Sequence, residues 1–354
     1  VAADHYLTAE LEVGGARRTF LIDTGAAFSL IDDDVAASLG LVSVGKQPMI
    51  DFSGVRRDVD AVRIPSLRLG SLEALEVGAA VIDMSGFDAI ECEPIAGLIG
   101  MNVLRGAIEL DVSGGWLRLA SSMSLLAPRA GGVTIKAYPP SYLLHLPPPT
   151  RTLAPTPVTV DTGSPGAITV TKAMARRLAT GPRLRRDVLS QSLNSARPRR
   201  ERHDLFLWPD ATLAGLELEG VRVEVAGSAT IGLAVLRSFV VRVDREAQTL
   251  TFWPDPSRPP PRGLEGLGVW IAAEGEAGRV RSVTRGSPAS AAGLRLGEPV
   301  VSLDGARLAE MTAQARCTAL RDLHKKEQVR VGVRRAGAVV EVALTRRTML
   351  APPR

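Results

Sequence analysis

The chain is poor in cysteine, histidine, aromatic side chains and long apolar runs, and each shortage removes a class of function. Its 354 residues include two cysteines, Cys92 and Cys317. At that distance along the chain they make neither a disulfide framework nor a Cys-x-x-Cys metal or redox site, and both are read as free thiols. The four histidines, His5, His145, His203 and His324, never pair at metal-ligand spacing, so no metal is expected. No apolar run approaches the roughly 18 residues of a membrane helix. There is no Gly-x-Ser-x-Gly turn to carry a serine nucleophile. Lys plus Arg exceed Asp plus Glu by 43 to 38, but aromatic residues are only 4%, so no nucleic-acid partner is expected. Gly40 to Lys46 has phosphate-loop spacing, yet it follows a helix-like segment and Gln47 replaces the hydroxyl residue that would hold magnesium. No cofactor is implied. The chain begins Val1-Ala2-Ala3, so an N-terminal targeting segment is expected to be missing, and the cell envelope or periplasm is favoured over the cytoplasm.

Proline, in contrast, is plentiful and clustered. The runs around Pro139-Pro140 and Pro147-Pro148-Pro149, and from Pro254 to Pro261, favour extended backbone that neither continues a helix nor donates to a ladder. They divide the chain into a first lobe at 1–137, a linker at 138–157, a second lobe at 158–253, a linker at 254–262, a third domain at 263–347 and a tail at 348–354.

The first two segments repeat one another. Arg18-Thr19-Phe20-Leu21-Ile22 reads as a buried strand running into Asp23-Thr24-Gly25-Ala26, then a second strand and a helix-like stretch near Asp34 to Gly40. Val158-Thr159-Val160 runs into Asp161-Thr162-Gly163-Ser164, followed by the same succession. Ala96-Gly97-Leu98-Ile99-Gly100 answers Ala229-Thr230-Ile231-Gly232, and both halves close on β-rich stretches. Two equivalent β lobes are the economical reading.

One Asp-Thr-Gly is an ordinary turn; two, each between β runs and each followed by an apolar-apolar-Gly element, point to chemistry. Two carboxylates held together cannot both ionise cheaply, so they share a proton and offer an acid and a base at once. The pattern resembles the aspartic proteases, and the short lobes are more similar to retropepsin-like bacterial members than to long pepsins. The resemblance covers about residues 1–255. It implies a mainly β, single-chain pseudo-dimer with Asp23 and Asp161 as catalytic dyad and a polypeptide as substrate. It also implies that Thr24 and Thr162 reach across the lobe interface to opposite backbone. Gly25 and Gly163 would let main-chain amides approach the carboxylates, while Gly100 and Gly232 support the turns from behind. Ala26 and Ser164 follow the two turns, and a Ser164 hydroxyl on the carboxylate would make Asp161 the more readily ionised partner. A substrate-covering flap is expected between Gly40 and Val62, with Phe52, Ser53 and Gly54 at its tip. The matching stretch of the second lobe, 181–204, is rich in arginine. It reads as a solvated loop or as a preference for acidic peptides.

The third segment has its own rhythm: alternation over Gly278 to Val283, a capped helix at Ser287 to Leu294, a strand and turn at Val300 to Gly305, a helix over about Ala309 to Leu323, and two closing strands. Gly266-Leu267-Gly268-Val269 and Gly286-Ser287-Pro288-Ala289 resemble the PDZ modules attached to bacterial proteases. That resemblance covers about 263–347 and implies an α+β domain that takes a C-terminal peptide as an added strand beside Leu267, Gly268, Val269 and Ile271, with Leu320 lining the groove. The expectation is thus a monomeric aspartic endopeptidase with a PDZ domain. The alternative is a protease-like scaffold that captures peptides without cutting them.

Overall fold

A computed structural model describes residues 6–50, 55–137, 143–150, 153, 156–178, 181–190 and 199–352. The first lobe comprises β1 (Thr8–Val13), β2 (Ala16–Ile22), β3 (Ser29–Asp32), α1 (Asp33–Ser38), β4 (Gly45–Ile50), β5 (Arg56–Leu69), β6 (Leu72–Ile82), α2 (Ser85–Glu91) and β7 (Ile95–Ile99). Six of its strands run in the order β1-β2-β7-β3-β6-β5, and β5 returns to β1 through Glu12↔Arg68 and Val13↔Leu67, which closes a barrel. Apolar side chains from Leu11, Phe20, Ile22, Ile31, Ile64 and Val77 fill it. All five residues of β7 are buried because β7 lies between β2 and β3, and its unbroken apolar run is what a strand covered on both faces requires. Asp32 caps α1 by accepting from the amides of Asp34 and Val35. Among the described strands β4 pairs only with β5, at the barrel's edge and within the stretch where a flap is expected; Phe52, Ser53 and Gly54 lie outside the described residues.

Next come β8 (Ala107–Asp111), β9 (Trp116–Ala120) and β10 (Val133–Lys136). The second lobe follows as β11 (His145–Leu146), β12 (Val158–Val160), β13 (Ile168–Val170), α3 (Lys172–Leu178), β14 (Leu184–Ser190), β15 (Arg199–Leu207), a small hairpin of β16 (Thr212–Leu213) and β17 (Leu216–Glu217), then β18 (Arg222–Val225), β19 (Thr230–Ile231) and α4 (Leu233–Leu236). Its order, β11-β12-β19-β13-β18-β15-β14, reproduces the first lobe strand for strand. The segment 138–157, expected to be a linker, contributes β11 and the buried Leu144, Leu146 and Leu153. Apolar residues between the prolines outweigh the extended bias of the prolines themselves.

The lobes are sewn together by β20 (Phe239–Asp244) and β21 (Thr249–Pro254), which join the order β10-β21-β20-β8-β9. Across the β8–β20 seam Arg242 faces Glu109, both nearly buried. Arg242 Nε donates to Glu109 Oε2 at 2.6 Å, Arg118 donates to the other oxygen at 3.0 Å, and Arg242 also donates to the Ala127 carbonyl. Arg242→Met would strand a buried carboxylate, and urea unfolding is expected to show a loss of about 3–5 kcal/mol. Adding Glu109→Leu should return much of it, because the pair would then be replaced by apolar packing.

The third domain contains β22 (Leu264–Gly266), β23 (Val269–Glu274), β24 (Ala277–Thr284), α5 (Pro288–Ala291), β25 (Pro299–Leu303), β26 (Ala306–Arg307), α6 (Ala313–Arg321), β27 (Gln328–Arg335), β28 (Ala338–Thr345) and β29 (Arg347–Leu350). It has a separate apolar core that includes Val280, Val300, Leu308, Val331 and Leu344. The helix expected from about Ala309 is shorter, since Thr312 is extended and caps α6 by accepting from the Ala315 amide. The expected tail supplies β29, which pairs with β22.

Two connections tie this domain to the lobes. Strand β14 pairs with β24 through Arg186↔Thr284, Asp187↔Val283 and Val188↔Ser282, so the arginine-rich hairpin of the second lobe is part of a continuous sheet. Several of its arginines are partnered, Arg186 with Glu224 at 3.1 Å and Arg202 with Asp187 at 3.6 Å. The second connection corrects the reading of the cysteines as free thiols: Cys92 and Cys317 form a disulfide, with Cα atoms 5.4 Å apart. Their separation of 225 residues is bridged because α2 of the first lobe packs on the third domain, an adjacency that spacing along the chain does not reveal.

Candidate active site

Each Asp-Thr-Gly turn is placed by the strand before it and the apolar strand behind it. The amides of Asp23 and Asp161 donate to the carbonyls of Ile99 and Ile231, both at 3.0 Å, so β7 and β19 hold the two turns in the same way. Gly100 and Gly232 follow those strands. A β-carbon at Gly100 would collide with the backbone of Ala26 and Phe28, and one at Gly232 with that of Ser164 and Gly166.

The turns meet face to face. The Thr24 hydroxyl donates to the Val160 carbonyl at 2.7 Å and accepts from the Thr162 amide at 3.1 Å. The Thr162 hydroxyl donates to the Ile22 carbonyl at 2.7 Å and accepts from the Thr24 amide at 3.0 Å. Both threonines are buried, so these four bonds replace water at the lobe interface. The Gly25 and Gly163 amides donate to the carboxylates of their own turns, at 2.7 and 2.9 Å. Each glycine also faces the opposite aspartate: a β-carbon on Gly25 would collide with the Asp161 carboxylate, and one on Gly163 with that of Asp23.

The two carboxyl groups lie close enough to share a proton. Burial pushes both above the ordinary carboxylate range, and the neighbouring Asp23 charge pushes Asp161 up further. The two therefore titrate as one coupled pair. The Ser164 amide reaches Asp161 as the Ala26 amide reaches Asp23, but no hydrogen bond among the described residues joins the Ser164 hydroxyl to the carboxylate. The fourth turn position therefore acts through its backbone in both lobes.

Tyr6 was not anticipated. It precedes β1 and carries no motif, yet it packs, as Ala26, Phe28 and Met49 do, against the buried cluster that includes Leu21, Leu30 and Leu98, and meets Phe87 edge-on at 5.4 Å between ring centroids. Its amide donates to the buried Glu91 side chain at 3.2 Å. Burial, with the nearby Glu91, Asp23 and Asp161 charges, pushes the phenol well above its usual value. The only signal in the sequence is an aromatic residue in a chain that has few.

In the third domain the structure brings Leu267, Ile271 and Leu320 into one buried cluster, with Val269 packed against it. Gly268 has φ 74°, and a β-carbon there would strike Ser287. These five residues gather where α6 packs on β23.

A closed six-stranded barrel whose Asp-Thr-Gly turn is locked against a second copy of itself defines an aspartic-protease-like domain. Consistent with this, residues 9–103, from β1 to just beyond β7, match the aspartyl protease family. No curated protein matches the chain.

Proposed function

We propose that the chain is an aspartic endopeptidase acting on polypeptides, with Asp23 and Asp161 as its catalytic pair and a C-terminal PDZ domain that recognises a peptide terminus. The observation that supports this reading is the reciprocal threonine lock, with each aspartate carboxyl lying against the glycine of the opposite turn. In the singly protonated pair, the ionised oxygen takes a proton from a water as that water attacks the peptide carbonyl. The protonated oxygen donates to the developing oxyanion. The proton gained then passes to the leaving amine, and no covalent enzyme intermediate forms.

Tyr6, Ala26, Phe28 and Met49 lie partly buried against one apolar cluster of the first lobe, and this reading takes an apolar side chain next to the scissile bond. The test is cleavage of a peptide library from about pH 3 to about pH 7, the range a shared-proton pair commands. Acid-favoured cleavage inhibited by pepstatin is expected. Tight peptide binding with no cleavage at any pH would favour the non-cutting scaffold instead.

A further inference from the structure

Strand β23 carries the edge at which an added peptide strand would pair, and among the described strands it pairs only with β24. Its surroundings are not open. Helix α2 of the first lobe packs against both β23 and α6, the two elements that would flank a bound peptide. Cys92, immediately after α2, is bonded to Cys317 on α6, and Arg321, one turn further along α6, donates to the Glu91 carbonyl at 3.2 Å. Cys92 has φ 63°, in the left-handed region that a β-carbon disfavours. The Glu91 side chain accepts from the Tyr6 amide.

We propose that α2 is a built-in occupant of the third domain's peptide site, latched by the Cys92–Cys317 disulfide, and that reduction by a dithiol releases it so that a peptide with a free C-terminal carboxylate can enter. The proposal rests on reading this domain as a PDZ domain. In the exchange, a thiolate of the dithiol attacks one cysteine sulfur and expels the other as thiolate. The second thiol of the reagent then resolves the mixed disulfide, leaving a cyclic disulfide and two protein thiols after transfer of two electrons and two protons.

The bond matters because it makes α2 an intramolecular competitor. While cross-linked, α2 is held at a high effective concentration against β23 and α6, and a free peptide must displace it there. Once the bond is reduced, only non-covalent contacts such as Arg321–Glu91 keep α2 there, and a peptide can displace it. The buried cysteines slow the attack, so release requires that the α2–α6 face open transiently.

The test compares the oxidised protein, the protein reduced with dithiothreitol, and Cys92→Ser/Cys317→Ser. Hydrogen exchange at residues 85–91 and 269–274 is expected to quicken by about tenfold or more in the last two, with β20 unchanged as evidence of an intact fold. An immobilised library of heptapeptides ending in free carboxylates should be bound by those two forms and not by the oxidised form, and the same library as C-terminal amides should not be bound. Exchange that is the same in all three forms, or measurable peptide binding that is equal in oxidised and reduced protein, overturns the latch. Faster exchange without peptide binding in any form upholds the latch and refutes the PDZ reading. Since dithiothreitol acts on the unmutated chain, a variant that fails to fold does not decide the result.

Discussion

Asp161→Asn is expected to lose hydrolytic activity by about 10³-fold or more and, at the same time, to be more stable than the parent at neutral pH. The loss follows from the shared proton. An amide can neither take a proton from water nor hold the one that Asp23 needs beside it, so acid and base disappear together. The gain in stability follows from burial, which with the Asp23 charge raises the Asp161 pKa well above its ordinary 3.8. A carboxyl group with a folded pKa above its unfolded value stabilises the fold fully below the unfolded value. That contribution is lost as pH rises through the folded value. At neutral pH the unfolded chain ionises freely while the folded pair resists it, and the neutral amide removes this cost. Thermal melts should therefore show the variant's advantage growing from acid toward neutral pH. A variant less stable than the parent at neutral pH would mean that burial does not set the pair's ionisation. In the parent, the raised second ionisation should carry the alkaline limb of the pH–rate profile above the ordinary carboxylate range.

The parts of the molecule legible in the sequence are those whose signal is local and doubled. The runs ending at Ile22 and Val160 read as strands because they are short, apolar and stopped by Asp-Thr-Gly. Gly100 and Gly232 were found because each closes a buried strand at nearly the same distance from its turn. What stayed hidden depends on contacts between distant segments. Nothing near Cys92 or Cys317 marks them as partners until α2 is laid on the third domain. Strand β11 lay hidden among prolines because composition outvoted four residues, Leu143 to Leu146. Tyr6 has no motif, and only the folded chain shows that the amide of this residue meets Glu91. At the fourth turn position only the folded chain shows that the Ser164 backbone amide, rather than its hydroxyl, reaches Asp161. The pairing of β14 with β24 is likewise invisible in a stretch whose arginines suggest solvent.

Thr162→Val is the sharper test of the lobe lock, because it keeps the shape of the side chain and removes only its oxygen. The hydroxyl's two partners, the Ile22 carbonyl and the Thr24 amide, are left without a bond inside the interface. Orphaning two buried backbone groups costs about 2–6 kcal/mol, against a side chain that is otherwise isosteric. The Thr24 turn is then held on one side only, by its own hydroxyl on the Val160 carbonyl. A displacement of about 1 Å between the carboxyl groups would lower kcat by about 10²-fold. Thr162→Ser restores the oxygen and loses only a methyl group, so it should recover most of the activity. Unfolding measured in urea separates the two effects: a variant that keeps parental stability but loses kcat places the lock's role in alignment, whereas equal activity in valine and serine variants would show that the hydroxyl positions nothing. Thr24→Val makes the mirror-image change, and because both hydroxyls serve one interface, the double variant should cost less than the sum of the two.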